Sequence, residues 1–150
     1  MSTALARFIA DLSNRWRNRF LPSPPPHLQL GVQGENLACQ YLKRNGYKVL
    51  YRNFRGRTGG EIDIVCREGD TLVFVEVKTR SREDFGRPLD SVDREKRRRI
   101  ARGGLAWLRL LDNPDIFFRF DVVEVIIREG EVRRIELVRN AFPLPEPYIY

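Results

Sequence analysis

The sequence predicts an α/β domain: a mixed central sheet of about five strands flanked by helices. Three observations lead there. Apolar residues recur at helical spacing over 31–45 and again over 91–111. Three runs rich in Ile, Val and Phe lie between those stretches, and two more follow the second. The resulting order (helix, strand, hairpin, helix, two strands) suits one sheet whose faces are covered by helices. At 150 residues and 42% hydrophobic content, the chain makes one core.

Residues 1–20 carry Leu5, Phe8, Ile9, Leu12, Trp16 and Phe20 at helical spacing, with Arg7, Arg15, Arg17 and Arg19 between them. A basic amphipathic helix of this kind suits a membrane surface or nucleic acid. Docking on its own domain, or an unstructured extension, is the preferred reading, because so short a helix has no support of its own. The run Leu21-Pro22-Ser23-Pro24-Pro25-Pro26 cannot continue a helix and reads as a stiff linker. The chain thus divides into a basic extension with a proline-rich linker (1–29), a domain (30–140) and a loose tail (141–150).

The first domain helix spans 31–45, with Leu37, Ala38, Tyr41 and Leu42 inward and Gly46 as its stop. Glu35 lies one turn before Ala38 and Cys39, which turns it toward the core side. An acid there needs a partner or an ion; the alternative is a partly exposed glutamate favoured by the helix dipole. A strand over 47–54 follows. It leads into a basic loop, Arg55-Gly56-Arg57-Thr58-Gly59-Gly60.

The next two strands form a hairpin about Gly69-Asp70. Counting back from a Glu68–Thr71 pair opposes Asp63 to Glu76 and Glu61 to Lys78. One face becomes Ile62, Ile64, Cys66, Val73, Val75 and Val77. The other gathers Glu61, Asp63, Glu76 and Lys78. Directly opposed carboxylates lie about 5 Å apart at Cβ. Dry and ionised they repel, and one takes a proton unless a cation intervenes. Hard oxygen ligands favour Mg2+ or Mn2+, and Lys78 can position a water or stabilise charge on a phosphate. The bland alternative is a solvated outer face with cross-strand ion pairs, Glu61 with Lys78 among them. A two-residue loop one step earlier would oppose Asp63 to Phe74, and a three-residue loop would need a bulge.

The 79–88 loop carries Arg80, Arg82 and Arg87. Ser91 or Asp90 is placed to cap the second helix. Its run Arg94-Glu95-Lys96-Arg97-Arg98-Arg99 is a solvated face or a phosphate contact. Lys96 shares a stripe with Ile100, Gly103, Gly104, Trp107 and Leu111, at the edge of the buried face. The paired glycines either admit close approach to the sheet or weaken the helix. Strands over 117–127 and 132–138 complete the sheet around a Glu129-Gly130 turn. Asp121 alternates with Val123 and Val125 and is read as structural.

Lys and Arg total 27 against 20 Asp and Glu, a net charge of +7, which favours a polyanionic partner. Cys39 and Cys66 fall in apolar contexts and read as buried thiols of a reducing compartment, hence a cytoplasmic protein. A single histidine, His27, argues against zinc chemistry and a histidine triad. No run reaches the ~18 apolar residues of a membrane span, and no secretory signal is evident.

The succession Gly34-Glu35, Gly46-Tyr47, Arg52-Asn53, Gly60-Glu61-Ile62-Asp63, Phe74-Val75-Glu76-Val77-Lys78-Thr79-Arg80, Lys96 and Arg119-Phe120-Asp121-Val122-Val123 resembles the YraN family. That is a widespread bacterial family held to be similar to endonucleases. The resemblance spans roughly 30–136. The family in turn resembles the restriction-endonuclease-like superfamily, and within it the archaeal Holliday-junction resolvases. The resemblance implies a metal-dependent nuclease acting on DNA, branched or single-stranded, with Mg2+ or Mn2+ and no small-molecule cofactor. It carries the superfamily's metal-binding acid onto Asp63, its Glu-x-Lys onto Glu76-Val77-Lys78, and the resolvase-like helical acid onto Glu35. Ile62 stands where many superfamily members have proline. Glu61 and Lys96 match the family pattern without an assigned role; Glu61 and Asp121 are accessory candidates. Arg55, Arg57, Arg80, Arg82, Lys96, Arg97 and Arg98 are the expected phosphate contacts. A homodimer would suit a two-fold branched substrate. The other class of function is a nucleic-acid-binding accessory without catalysis, in repair, recombination or uptake; membrane association through 1–20 is the least favoured.

Overall fold

The computed structural model describes residues 26–81, 90 and 92–150; the expectations for residues 1–20, Arg82, Arg87 and Ser91 fall outside them. Helix α1 spans Pro26–Arg44, then come β1 (Lys48–Arg55), β2 (Glu61–Glu68), β3 (Thr71–Arg80), helix α2 (Arg94–Leu110), β4 (Phe118–Arg128) and β5 (Glu131–Phe142). The strands form one sheet in the order β1-β2-β3-β4-β5. Only the β3–β4 pair is parallel; α2 is the crossover that such a pair requires.

Helix α1 starts five residues earlier than its apolar spacing predicts. Pro26 opens it, where a missing N–H is no loss; residues 26–29 are therefore helical, not linker. It ends in a left-handed glycine: Gly46 has φ of +86°, and Tyr47 N donates to Leu42 O at 3.0 Å, closing the last carbonyls.

The hairpin register is the predicted one. Glu68 pairs with Thr71, Cys66 with Val73 and Ile64 with Val75, around Gly69 at φ +56°. The two faces differ from expectation at one residue. Ile64, Cys66, Val73, Val75 and Val77 pack under α1 with Ala38, Leu42 and Val123. Ile62 instead packs with Phe54, Phe74 and Trp107 under α2. The reason lies beside it in β1. Between the Arg52–Ile64 and Phe54–Ile62 pairs, Asn53 adopts φ of +53°. Arg52 and Asn53 both reach Glu35 of α1, whereas Phe54 meets Trp107 of α2, so the period-2 alternation slips there.

Helix α2 is capped by Asp93, not by Asp90 or Ser91: its Oδ1 accepts from Lys96 N at 2.8 Å, the usual N-cap bond. Its glycines serve close approach. A Cβ on Gly103 would lie 2.9 Å from Glu61 backbone atoms, and one on Gly60 would lie 2.4 Å from Gly103 N. The start of β2 and the middle of α2 are thus in backbone contact.

The C-terminal segment is docked rather than loose. β5 continues to Phe142, whose ring stacks on Phe120 at 5.0 Å. Leu144 and Tyr148 pack on the same core, and Tyr150 sets its ring on Phe118 and its hydroxyl on Pro114 O. Aromatic burial here outweighs the loop-forming tendency of Pro143, Pro145 and Pro147.

Candidate active site: a buried carboxylate pair and its lysine

The α2 side of the sheet carries Glu76, because Leu72 and Phe74 precede it on that face of β3 and side chains alternate. Glu76 is 3% exposed. Asp63 approaches from β2: its Oδ2 accepts from Val77 N at 2.7 Å. Sequence-predicted Asp63 and Glu76 therefore do meet, at the end of the hairpin where the ladder opens. Burial, then the Asp63 charge, pushes the Glu76 carboxyl up to about 8. Burial also raises Asp63, against the Val77 amide and Lys96, which favour its anion. Two acids this close disfavour each other's ionisation.

One oxygen of the pair is bare. Glu76 Oε2 is buried without a hydrogen-bond partner, which is costly in a protein interior. The other, Oε1, lies 3.2 Å from Lys96 Nζ. That ammonium also donates to Glu61 Oε1 at 2.8 Å, and Arg99 stands 3.5 Å from the same oxygen. The Lys96 hydrogen bond holds the Glu61 carboxyl below its ordinary range. Burial would lower Lys96, but Glu61 and Glu76 outweigh it and leave its pKa raised. Lys96 was expected among the phosphate contacts; it is instead engaged inside the acid group. The ion pair proposed for Glu61 is made with Lys96 rather than with Lys78.

Glu35 reaches the edge of this group from the α1 side. Its Oε2 accepts from Asn53 Nδ2 at 3.1 Å and lies 3.7 Å from Arg52. Burial raises its pKa and the nearby Asp63 charge adds to the push. Among the described residues no three acid, histidine or cysteine side chains converge into an ion cage. Asp63 and Glu76 form the core pair, with Glu35 and Glu61 flanking. Lys78 stands two residues beyond Glu76 on the same face, half-buried.

The expected phosphate contacts divide. Arg55 and Arg57 are exposed in and after β1. Arg80 is instead turned onto Glu124, 3.2 Å from Oε2. Arg97 donates to Val92 O at 2.9 Å and lies over the Phe142 ring, so it braces the helix. Arg98 is half-buried. Glu124 is a buried acid that sequence reasoning passed over, 1% exposed between Arg80 and Arg134. Its even spacing from Phe120 and Val122 was the signal available.

Asp121 belongs elsewhere. It lies on the α1 side, 1% exposed, and accepts from Arg119 Nε at 2.9 Å, Tyr47 Oη at 3.1 Å and Asn140 N at 2.8 Å. Arg119 also donates to Glu68 at 2.7 Å. This is a satisfied structural lock, as read from the alternation, and it is not an accessory to the Asp63–Glu76 pair.

A five-strand mixed sheet between two helices, with buried acids where the hairpin strands splay, has the α/β architecture of restriction-endonuclease-like proteins. Within that class the chain belongs to the uncharacterised protein family UPF0102, the YraN family of the sequence resemblance; the family model matches residues 34–125. A UPF0102 protein of Geobacter sulfurreducens is 50% identical over 115 residues, covering 77% of this chain and 89% of the relative. UPF0102 proteins of Rhodococcus opacus and Caldicellulosiruptor saccharolyticus are 45% and 43% identical, covering 77% and 76% of this chain and 98% and 97% of theirs.

Proposed function

We propose that this protein is a divalent-metal-dependent nuclease that hydrolyses phosphodiester bonds in DNA. The observation that carries the reading is the Asp63–Glu76 pair: a buried carboxyl beside a half-buried one, with Glu76 Oε2 lacking a donor. A fold gains nothing from a buried carboxyl oxygen without a donor beside a second acid, whereas a hard cation would relieve both the repulsion and the orphaned Glu76 oxygen. The donor set fits Mg2+ or Mn2+. Asp63 and Glu76 would hold the ion, with Glu35 the third candidate once it leaves Asn53. When bound, such an ion supplies Lewis-acid charge at the scissile phosphate.

The chain's own residues do the rest. Lys78 holds the attacking water, or the charge that builds on the phosphate, from the same face as Glu76. Arg55, Arg57 and Arg98 fix the backbone phosphates, and the net charge of +7 draws DNA in. A branched substrate would fit two copies of the chain related by a two-fold axis. Two buried free thiols suit the cytoplasm.

Purified protein should cut supercoiled, branched or single-stranded DNA only with Mg2+ or Mn2+. Asp63→Ala and Lys78→Ala should each lower the rate on the order of 10^2–10^4-fold. Cleavage unchanged in both variants would sink the assignment.

The second reading, a nucleic-acid-binding accessory without catalysis, draws on Lys96 already occupying the acid group. It requires salt-dependent DNA binding that survives Asp63→Ala, with no metal-dependent cleavage in the wild type.

A further inference from the structure

We infer that Lys96 is a tethered cation that competes with the divalent ion for Glu76, and that Glu61 is the acid on which Lys96 parks when the ion enters. The inference rests on the metal-site reading above and adds to it a residue that sets ion affinity.

The geometry is specific. Lys96 Nζ bridges two acids, at 2.8 Å from Glu61 Oε1 and 3.2 Å from Glu76 Oε1. The longer contact is the one to the buried acid of the candidate metal pair. The shorter is to Glu61, which lies outside the pair and is 30% exposed at its side chain. The two acids differ in what else they hold. Glu61 has Arg99 at 3.5 Å as a second cation. Glu76 has among the described residues no ion-pair partner other than Lys96, and its Oε2 is bare.

The base of the tether is fixed, and the side chain beyond it is flexible. Lys96 N is held by the Asp93 cap at 2.8 Å. About two turns on, Gly103 pins α2 against the backbone of Glu61. A lysine has four rotatable side-chain bonds and an ammonium with three donors. It can therefore give up Glu76 and stay on Glu61 without moving the helix. A single positive charge between two acids satisfies them partially; a divalent ion on the Asp63 side satisfies them better, but must first displace that charge from Glu76. The same contact keeps the acid group from springing apart in the absence of metal.

Two substitutions then act in opposite directions on metal binding. Lys96→Met keeps the length of the stem and removes the competitor; Mn2+ should bind about tenfold tighter to the full chain by titration calorimetry. Glu61→Gln removes the parking acid, so that Lys96 has Glu76 alone, and Mn2+ should bind about tenfold weaker. In chelator, Lys96→Met should unfold at lower denaturant than wild type, and Mn2+ should restore more stability to it than to wild type. Unfolding curves also show that each variant is folded at the titration temperature.

A Lys96→Met protein that binds Mn2+ no tighter than wild type, or a Glu61→Gln protein that binds no weaker, overturns the competition while leaving the metal site standing. Wild type and both variants all failing to bind Mn2+ removes the site and the competition together. A purely structural Lys96 would lower stability in both variants and leave Mn2+ affinity alike in all three.

Discussion

Two buried acids on opposite faces of one sheet are handled in opposite ways. Asp121 is 1% exposed and Glu76 3% exposed. Asp121 accepts from a guanidinium, a phenol and a backbone amide. Glu76 shares one lysine with Glu61, faces Asp63 and leaves Oε2 bare. Burial alone therefore does not mark function here. The mark is a buried acid set against a second acid, since a fold that needs a buried acid for support surrounds it with donors or cations, as Arg80 and Arg134 flank Glu124.

The largest effect expected on this contrast is at Asp121. Asp121→Ala leaves Arg119 and Tyr47 without their shared acceptor and should lower unfolding free energy by about 3–5 kcal/mol in urea titration. A loss much smaller than this would mean that the lock is not structural.

At Glu76 the contrast appears as pH dependence. An ordinary glutamate ionises near 4.5, and in the fold Glu76 does so near 8. Between those values the folded state retains a proton that the unfolded chain has released. Without metal, stability should therefore fall as pH rises from about 4.5 to about 8 and level off above. The Glu76 part of this drop is on the order of 5 kcal/mol at most, and its coupling to Asp63 and Lys96 spreads it over the group. Glu76→Gln should flatten this slope, as measured by denaturant midpoints in chelator across that range. Glu61 titrates the other way, below 4.5, because Lys96 holds it ionised, and so does not overlap. A slope equally steep in Glu76→Gln would remove the claim that the pair is frustrated.

Smaller effects sharpen the picture. Asp93→Ala removes the α2 cap and with it the fixed base of Lys96; it should cost about 1 kcal/mol by thermal or urea unfolding. Arg133→Ala, whose partners Glu129 and Glu131 are both exposed, should change stability by less than about 0.5 kcal/mol. A larger loss there would mean that surface pairs matter as much as the buried ones.

Much of this was legible in the chain. The Gly69-Asp70 turn and the alternation around it yield the hairpin register, and with it the meeting of Asp63 and Glu76. The stripe through Ile100, Gly103, Gly104 and Trp107 marks the buried face of α2. Other features were hidden. The C-terminal prolines read as loose, while Phe142, Tyr148 and Tyr150 docked against distant rings. Ile62 crossed to the other face because Asn53, a residue of another strand, took a left-handed conformation.

The sequence by itself determined the local matters: which residues pair across a tight turn, which face of a helix is apolar, and which acids a period of two brings together. These depend on neighbours a few residues away, and the covalent chain fixes their spacing. Only the tertiary structure decided that Lys96, thirty-five positions from Glu61, puts its charge into the acid group. That contact follows from how closely α2 lies on β2, which Gly60 and Gly103 allow. The paired glycines of α2 signal that a close approach is possible, but which strand it meets and which acids it brings to Lys96 are set by packing between elements.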